Sequence, residues 1–274
     1  MKISGKLFEI VKGILLAVLA ILFIFPLILL LVNAFRDTRS IVENPLSFSG
    51  TVFLDNFINA FHTMNFPQSL LNSLIVTICS ALVVMFFASM LAFFLARFES
   101  RFTNVIFYVL IVAMIIPFQA VMVSLVSIYG NLHMLNNMGT LIFFYLGFGL
   151  SLTTFMYHGF IKQLPISLEE AAQLDGASMF VIFWKVVFPQ LKPITATTFI
   201  LNVLWFWNDF LLPSLVLIQK SRTLPLTTYT FFGTYTSDYG LAMAGLVLSI
   251  VPIIIFYIVM QKNIIGGVTD GAVK

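Results

Sequence analysis

Charged residues are scarce in this sequence. Asp, Glu, Lys and Arg make up 9% of the 274 residues, whereas they make up about a quarter of a typical soluble globular domain. The single cysteine, Cys79, excludes an internal disulfide. Hydrophobic residues make up 60% of the chain, and the mean hydropathy is +1.05. These proportions exclude a soluble globular domain and indicate a polytopic membrane protein.

Motifs for nucleotide binding and catalysis are also missing. The sequence contains no GxxxxGK[ST] segment to hold phosphates, no HExxH, no paired-cysteine metal site and no nucleophile elbow. The histidines His62, His133 and His158 are far apart and not at the spacing of metal ligands. We therefore predict that the chain is not an enzyme and that it carries no metal or cofactor of its own. Energy for uphill transport would come from a partner or from an ion gradient.

Long apolar runs predict six membrane-spanning helices within one domain, residues 1–274. A bilayer crossing takes roughly 20 residues, and the predicted spans are residues 13–35, 70–96, 103–129, 139–160, 193–218 and 240–261. Pro26 and Pro117 are expected to kink the first and third spans. The predicted fold class is all-α, a polytopic membrane protein with six transmembrane helices.

The distribution of positive charge predicts the orientation of the chain in the cell membrane. With six spans both termini lie on one side, and that side carries ten Lys and Arg residues against four on the other. The ten are Lys2, Lys6, Lys12, Arg97, Arg101, Lys162, Lys185, Lys192, Lys262 and Lys274. Because loops rich in Lys and Arg stay in the cytoplasm, we expect cytoplasmic N and C termini and a cytoplasmic loop at residues 162–192.

This loop of residues 162–192 is a charged segment between two long apolar segments. Ser167, followed three residues later by Glu170, fits a capping box and predicts a short helix from about Leu168. Gly176 permits a sharp change of direction before a second apolar run that prolines end. Small residues would then be exposed at the bend, where another backbone can approach closely. An interfacial amphipathic helix without a partner is the alternative, but it does not explain the small residues.

The spacing within the loop resembles the EAA loop of ABC-importer permeases. It reads Glu170-Ala171-Ala172, three residues, Gly176, nine residues, then Val186-Val187-Phe188-Pro189. The family pattern is EAA, three residues, glycine, nine residues, isoleucine, any residue, leucine and proline, so valine and phenylalanine stand for isoleucine and leucine. The longer stretch EAAQLDGAS, residues 170–178, resembles the carbohydrate-importer branch, in particular the second maltose-type permease subunit.

In that family the loop is a coupling helix that docks on a cytoplasmic ATPase. The resemblance implies a type I ABC-importer permease fold and assigns ATPase coupling to Glu170, Ala171, Ala172, Asp175, Gly176 and Pro189. It implies as partners a second, non-identical permease, two ATPase subunits that hold ATP and Mg, and an extracytoplasmic solute-binding protein. The substrate is then expected to be a sugar or oligosaccharide, moved by alternating access through a lipid-embedded chain, with no nucleic-acid partner.

A second polar stretch lies in the predicted fifth span. Asp209 is the one acidic residue placed well inside a span, where a charge costs about 3 kcal/mol or more unless it faces a polar interior. The sequence WNDFL at residues 207–211 is similar to a motif of the same carbohydrate-permease family. Asn208 and Asp209 either line the translocation path or link neighbouring helices by hydrogen bonds. Both interpretations stay open, and Gln119, which follows Pro117, shares the ambiguity.

The last nine residues, GGVTDGAVK, resemble the C-terminal tail of the maltose-type permeases, which reaches towards the ATPase dimer. Tail docking is accordingly assigned to Gly271, Ala272, Val273 and Lys274, within a cytoplasmic tail of residues 262–274. A frayed terminus is the alternative. Two other functions are considered: an ABC permease for glycerol phosphate or a polyol, and a proton-driven secondary transporter that uses Asp209.

Overall fold

The computed structural model of the chain is helical. It describes residues 2–48, 52–218, 221–232 and 238–272, without the side chains of residues 2–7 and 262–272. Within these ranges there is no β-strand, and the helices are α1 (Lys2–Asn33), α2 (Thr38–Glu43), α3 (Asp55–Thr63), α4 (Phe66–Arg97), α5 (Arg101–Ile115), α6 (Phe118–Asn131), α7 (Met138–Ile161), α8 (Ser167–Leu174), α9 (Met179–Ile182), α10 (Lys192–Asn208), α11 (Leu211–Val216), α12 (Leu224–Thr228) and α13 (Tyr239–Ala272).

Four helices in the described part of the chain are long and apolar enough to cross a bilayer. They are the Phe8–Asn33 part of α1, all of α4 and α7, and the Tyr239–Gln261 part of α13. The pair α5 and α6 adds a fifth crossing only if the two helices, bent by 99°, form one span. Helix α10 has 17 residues, fewer than the roughly 20 that a crossing takes. The predicted helical fold is confirmed, whereas the count of six spans is not.

Two of the predicted spans are interrupted, each for a local reason. Ile116 is extended (φ −69°, ψ 117°), as a residue before proline prefers, so α5 ends there and Pro117 begins a new helix where its missing N–H costs no hydrogen bond. The predicted fifth span ends at Asn208 because Asp209 is extended (φ −69°, ψ 128°). The Asp209 carboxylate accepts a hydrogen bond of 3.0 Å from the backbone N–H of Leu211 and so starts α11.

The chain divides into two compact units. The first comprises Met1–Phe66 and Thr227–Pro252, and the second comprises Pro67–Leu226 and Ile253–Lys274. The organisation of the whole chain as a single permease domain stays a prediction. The candidate sites lie in the second unit.

In the first unit a buried arginine organises the segment that follows α1. Arg36 is 5% exposed and donates hydrogen bonds of 2.8 to 3.0 Å to the backbone carbonyls of Ser40, Asn44 and Ser47. The Asp37 side chain caps α2 by accepting from the backbone N–H and the hydroxyl of Ser40, and these bonds lower the pKa of Asp37. Together the bonds fix the path of the chain between α1 and α2.

Gly240, in the first turn of α13, packs against this segment without room for a side chain. A Cβ at Gly240 would lie 2.7 Å from the backbone oxygen of Arg36 and 2.9 Å from the side-chain nitrogen of Asn56. That nitrogen itself donates a hydrogen bond of 2.8 Å to the Arg36 carbonyl. Backbone and a bonded amide cannot easily move aside, so the contact requires glycine.

Gly240→Ala is therefore expected to lower the free energy of unfolding by about 1 to 3 kcal/mol, the usual cost of overpacking. Thermal unfolding of the purified protein in detergent would measure the change. Gly159→Ala is the matched control, because a Cβ there meets nothing within 4 Å. Equal unfolding temperatures for the two variants would contradict the packing argument.

In the second unit, small and hydroxyl residues let α4, α7 and α10 approach closely. The buried face of α4 includes Ser73, Thr77, Ser80, Ala81, Ala88, Ser89 and Ala92. A Cβ at Gly149 of α7 would lie 3.1 Å from both Val84 and Phe206. The Asn202 amide of α10 donates to the hydroxyl of Thr153 in α7 at 3.0 Å. Such small residues and interhelical hydrogen bonds are typical of helix packing in membranes.

Candidate functional site

The first candidate site is the connection between α7 and α10. Its helix α8 ends in a Schellman motif: the N–H of Gly176 donates to the carbonyl of Gln173, and the N–H of Ala177 donates to the carbonyl of Ala172, both at 3.0 Å. Gly176 has φ +84°, a left-handed conformation that glycine adopts without strain. Ser178 then caps α9 through its hydroxyl. The predicted change of direction at Gly176 is therefore a defined turn.

Most residues matched to the EAA pattern are exposed on α8 and on the turn after it. Glu170, Ala171, Asp175 and Gly176 are exposed, and Ala172 is half-buried. Leu174, which the sequence did not single out, is 90% exposed. The EAA residues thus form an accessible surface of small residues with one projecting apolar side chain.

The predicted capping box is not formed. Helix α8 begins at Ser167, one residue before the expected start, but Ile166 precedes it in helical conformation and no side chain caps the helix. The N–H groups of Glu169 and Glu170 instead bond to the carbonyl of Ile166. Because Ile166 already continues the helical backbone, the Ser167 hydroxyl is not in the position that accepts from the first turn.

Glu169 makes the contact that the sequence did not predict. Its carboxylate accepts two hydrogen bonds, of 2.8 and 3.0 Å, from Nε of Arg97 at the end of α4. A third contact of 2.7 Å joins Arg97 Nη2 to Glu169 Oε1, and both side chains are about nine-tenths buried. The neighbouring Glu170, which belongs to the EAA pattern, remains exposed.

The run after Gly176 does not end at Pro189, as the sequence suggested. Helix α9 continues through a π-helical turn, Phe183–Val187, and a 3₁₀ turn, Phe188–Leu191, directly into α10. Pro189 is exposed and lies in the first turn of the 3₁₀ segment, where its missing N–H is not needed. The connection therefore leads without a loop into α10, the helix that ends just before Asp209.

A cluster of apolar side chains anchors this connection to α4 and α7. Ile182, Phe183, Val187 and Leu191 are each at most 3% exposed, and they belong to one buried cluster with Ala88, Ala92, Phe93 and Ala96 of α4 and Tyr157 and Ile161 of α7. The rings of Phe93 and Phe183 lie 5.2 Å apart. This close packing makes the segment from residue 182 to 191 part of the helix bundle rather than a mobile loop.

The second candidate site is a cavity of about 320 Å³ beside the break between α5 and α6. Its polar and aromatic lining consists of Gln119, Tyr145, Trp205 and Asp209, and its apolar lining is Ala113, Met114, Ile116, Phe118, Phe148, Leu211 and Leu212. The Tyr145 hydroxyl donates a hydrogen bond of 3.0 Å to Oδ2 of Asp209. Trp205 is 43% exposed. Few polar groups within an apolar, aromatic wall are typical of a small-molecule site.

The structure brings together two of the three residues predicted for the translocation path. Gln119 and Asp209 line the same cavity, but Asn208 is exposed outside it and donates to the carbonyl of Leu204 in its own helix at 2.7 Å. Tyr145, buried at 1% exposure, was missed. A tyrosine in an apolar run carries no signal of its partner, which lies in another helix.

Comparison with known proteins assigns the family. Residues 85–269 match the model of the binding-protein-dependent transport system inner membrane component. The chain belongs to this family. The predicted ABC-importer permease identity is confirmed, and no enzymatic activity is assigned to this subunit.

Relatives within the family match the chain over nearly its whole length. The chain is 43% identical over 258 residues, 94% of each chain, to the probable starch degradation products transport system permease protein AmyC of Thermoanaerobacterium thermosulfurigenes. It is 39% identical over 279 residues, 100% of each chain, to the multiple sugar-binding transport system permease protein MsmG of Streptococcus mutans. Both relatives are named as permeases of sugar transport systems.

A solved structure supports the fold. A chain in the crystal structure of a bacterial ABC transporter involved in import of the acidic polysaccharide alginate matches with a TM-score of 0.79 and 20% identity, over 94% of this chain and 97% of that chain. The predicted permease fold is confirmed by this likeness.

Family membership makes the protein an inner-membrane component of a transport system that works with other subunits. The predicted tail-docking residues Gly271, Ala272, Val273 and Lys274 lie outside the residues whose side chains the structure describes, and their role stays a prediction. The cytoplasmic location of the termini is likewise a prediction from the distribution of Lys and Arg.

Proposed function

We propose that this chain is the permease subunit of an ATP-driven sugar importer, with α8 and the turn at Gly176 as its contact with a separate ATPase. The observation that carries the proposal is the exposed EAA surface on a well-defined helix whose following segment is packed into the bundle. Glu170, Ala171 and Gly176 are exposed around a turn in which Gly176 has φ +84°, so another backbone can approach closely there, which an interfacial helix without a partner does not require.

The partners in this proposal are a second, non-identical permease, two ATPase subunits and an extracytoplasmic binding protein. ATP and Mg are held by the ATPase subunits, since this sequence has no phosphate-binding loop. The termini and α8 face the cytoplasm. Closure of the ATPase dimer pushes α8, and the packed segment of residues 182–191 transmits the displacement to the helix bundle, which alternates between outward and inward opening.

The cavity at Asp209 is the proposed part of the path that contacts sugar. The Asp209 carboxylate and Gln119 amide supply hydrogen-bonding groups for hydroxyls, and the exposed face of Trp205 supplies an apolar surface for a sugar ring. The names of the relatives, which mention starch degradation products and multiple sugars, support an oligosaccharide as substrate. Uptake of maltotriose, melibiose, sorbitol and glycerol 3-phosphate by whole cells distinguishes sugar from polyol and phosphate ester.

Affinity purification of the tagged chain in mild detergent, followed by mass spectrometry, tests the proposed assembly. We expect an ATPase and a second EAA-bearing permease to be recovered with it, in amounts close to two ATPase subunits for each pair of permeases. A tagged unrelated polytopic protein from the same cells is the control for nonspecific recovery. Recovery of the chain without an ATPase, from cells that carry out the uptake, would contradict the proposal.

A further inference from the structure

Helix α8 has little apolar packing of its own: Ala172 is half-buried against the apolar cluster, and the one fully buried side chain is charged. Of its eight residues, all of which the structure describes, Glu169 alone is buried. Leu168 and Leu174 are 43% and 90% exposed. The most buried side chain of this helix is therefore a carboxylate, and its partner Arg97 is 72 residues away in the sequence.

The geometry of the Arg97–Glu169 pair favours one fixed position of α8. Nε of Arg97 reaches both carboxylate oxygens, at 2.8 and 3.0 Å, and Nη2 reaches Oε1 at 2.7 Å and the carbonyl of Leu164 at 3.3 Å. A planar guanidinium that bonds a carboxylate through two nitrogens sets both distance and orientation. Removal of either partner would leave a buried charge without compensation.

Helix α8 is also connected to its neighbours in sequence, and it contacts α9 and the π-helical turn that follows α9. Towards α7 the chain turns at Lys162 to Leu164, and towards α9 it reverses at Gly176, which has φ +84°. A second ion pair nearby, Lys162 with Glu99 at 3.3 Å, joins the end of α7 to the turn between α4 and α5, and its side chains are 48% and 73% exposed. Exposed pairs of this kind contribute little.

We propose that the Arg97–Glu169 pair is the link that makes α8 move together with the end of α4, so that force on α8 reaches the bundle through α4 in addition to the packed segment of residues 182–191. Both residues are positioning residues in this role. The inference rests on the proposed function of α8 as the ATPase contact, and it adds which helix receives the motion. Because Glu170, Ala171 and Leu174 keep their positions on the exposed face, loss of the pair affects coupling more than docking.

The test compares neutral and charge-swapped variants in the purified complex with its native partners. Arg97→Gln and Glu169→Gln are each expected to retain the ATPase on affinity purification, but to lower at least fivefold the number of sugar molecules taken up per ATP hydrolysed in proteoliposomes. The probe is maltotriose or melibiose, whichever the whole-cell panel identifies. The double variant Arg97→Glu with Glu169→Arg restores both charges and is expected to recover at least half of the ratio.

Glu99→Gln and Lys162→Gln are the matched controls, since they remove a nearby exposed ion pair that does not include α8. The number of sugar molecules taken up per ATP hydrolysed is expected to stay within twofold of that of the unmodified chain. An unchanged ratio in Arg97→Gln and Glu169→Gln would overturn the proposal while leaving ATPase recovery, and thus the proposed function, intact. If the single variants are poorly produced, the charge-swapped double variant provides the test. A normal protein level with a restored ratio of sugar taken up to ATP hydrolysed supports the link. A normal protein level without that restored ratio overturns it.

A cross-link provides a second measurement that does not depend on the charges. In a Cys79→Ser background, Arg97→Cys with Glu169→Cys is joined by a short flexible bifunctional thiol reagent. If α8 and the end of α4 move as one body, the cross-linked complex takes up sugar at least as fast as the same variant before cross-linking. Loss of uptake on cross-linking would show that the two elements must separate, and would overturn the proposal.

Discussion

Leu174→Asp is expected to reduce recovery of the ATPase with the purified chain at least tenfold and to reduce sugar uptake to a similar extent. The side chain is 90% exposed, so the substitution removes no described packing within the chain. Within a docked complex, however, an aspartate at this position would be buried without a partner, which costs several kcal/mol. Quantitative mass spectrometry of the affinity-purified complex measures the loss.

Gln163→Asp is the control for the added negative charge, because Gln163 is exposed just before α8 and does not belong to the EAA surface. It is expected to leave recovery of the ATPase within twofold of the unmodified chain. Normal production of both variants, checked by gel filtration in detergent, separates lost docking from lost folding. Full ATPase recovery and uptake with Leu174→Asp would remove α8 from the proposed interface.

Asp209→Asn is expected to lower sugar uptake at least tenfold at normal protein level, and to change the order of preference among sugars. The substitution keeps the shape of the side chain and retains an oxygen for the Leu211 N–H, but it replaces a charged acceptor in the cavity wall by a neutral amide. Charged acceptors make hydrogen bonds roughly twice as strong as neutral ones. Competition of unlabelled sugars against a labelled one measures the preference.

Tyr145→Phe separates the two interpretations of Asp209. It removes the hydroxyl that donates to Asp209 at 3.0 Å and leaves the carboxylate in the cavity. If Asp209 serves the path, Tyr145→Phe affects uptake less than Asp209→Asn does and leaves sugar preference unchanged. If Asp209 is mainly an interhelical link, both variants lose protein level equally and neither changes preference, which would contradict the path assignment.

The long helices were predictable because uncharged runs of sufficient length have few alternatives in a membrane protein. The extent of the breaks was not predictable. Pro117 predicts that the helix of the third span is interrupted, but the 99° angle between α5 and α6 depends on what each helix packs against. At Asp209 the apolar sequence continues, and the helix ends because one side chain bonds to the backbone two residues later, a local competition that hydropathy does not reveal.

The side-chain contacts of the candidate sites were likewise only partly predictable from the sequence. The EAA spacing located the exposed helix, but it could not show which of two adjacent glutamates is buried, since that depends on Arg97 at the end of another helix. Asp209 and Gln119 were each singled out as polar residues in apolar runs, and the fold brings them to one cavity. Tyr145 completes the Asp209 contact through tertiary packing alone.

ATP-dependent uptake by proteoliposomes that contain the purified complex tests the central claim most directly. With the binding protein outside and ATP inside, we predict accumulation of the identified sugar that stops without ATP and continues in the presence of a proton uncoupler. Uptake by this chain alone, driven by a proton gradient without ATP and abolished by the uncoupler, would contradict the account. Asp209 would then be the candidate proton-binding group of a secondary transporter.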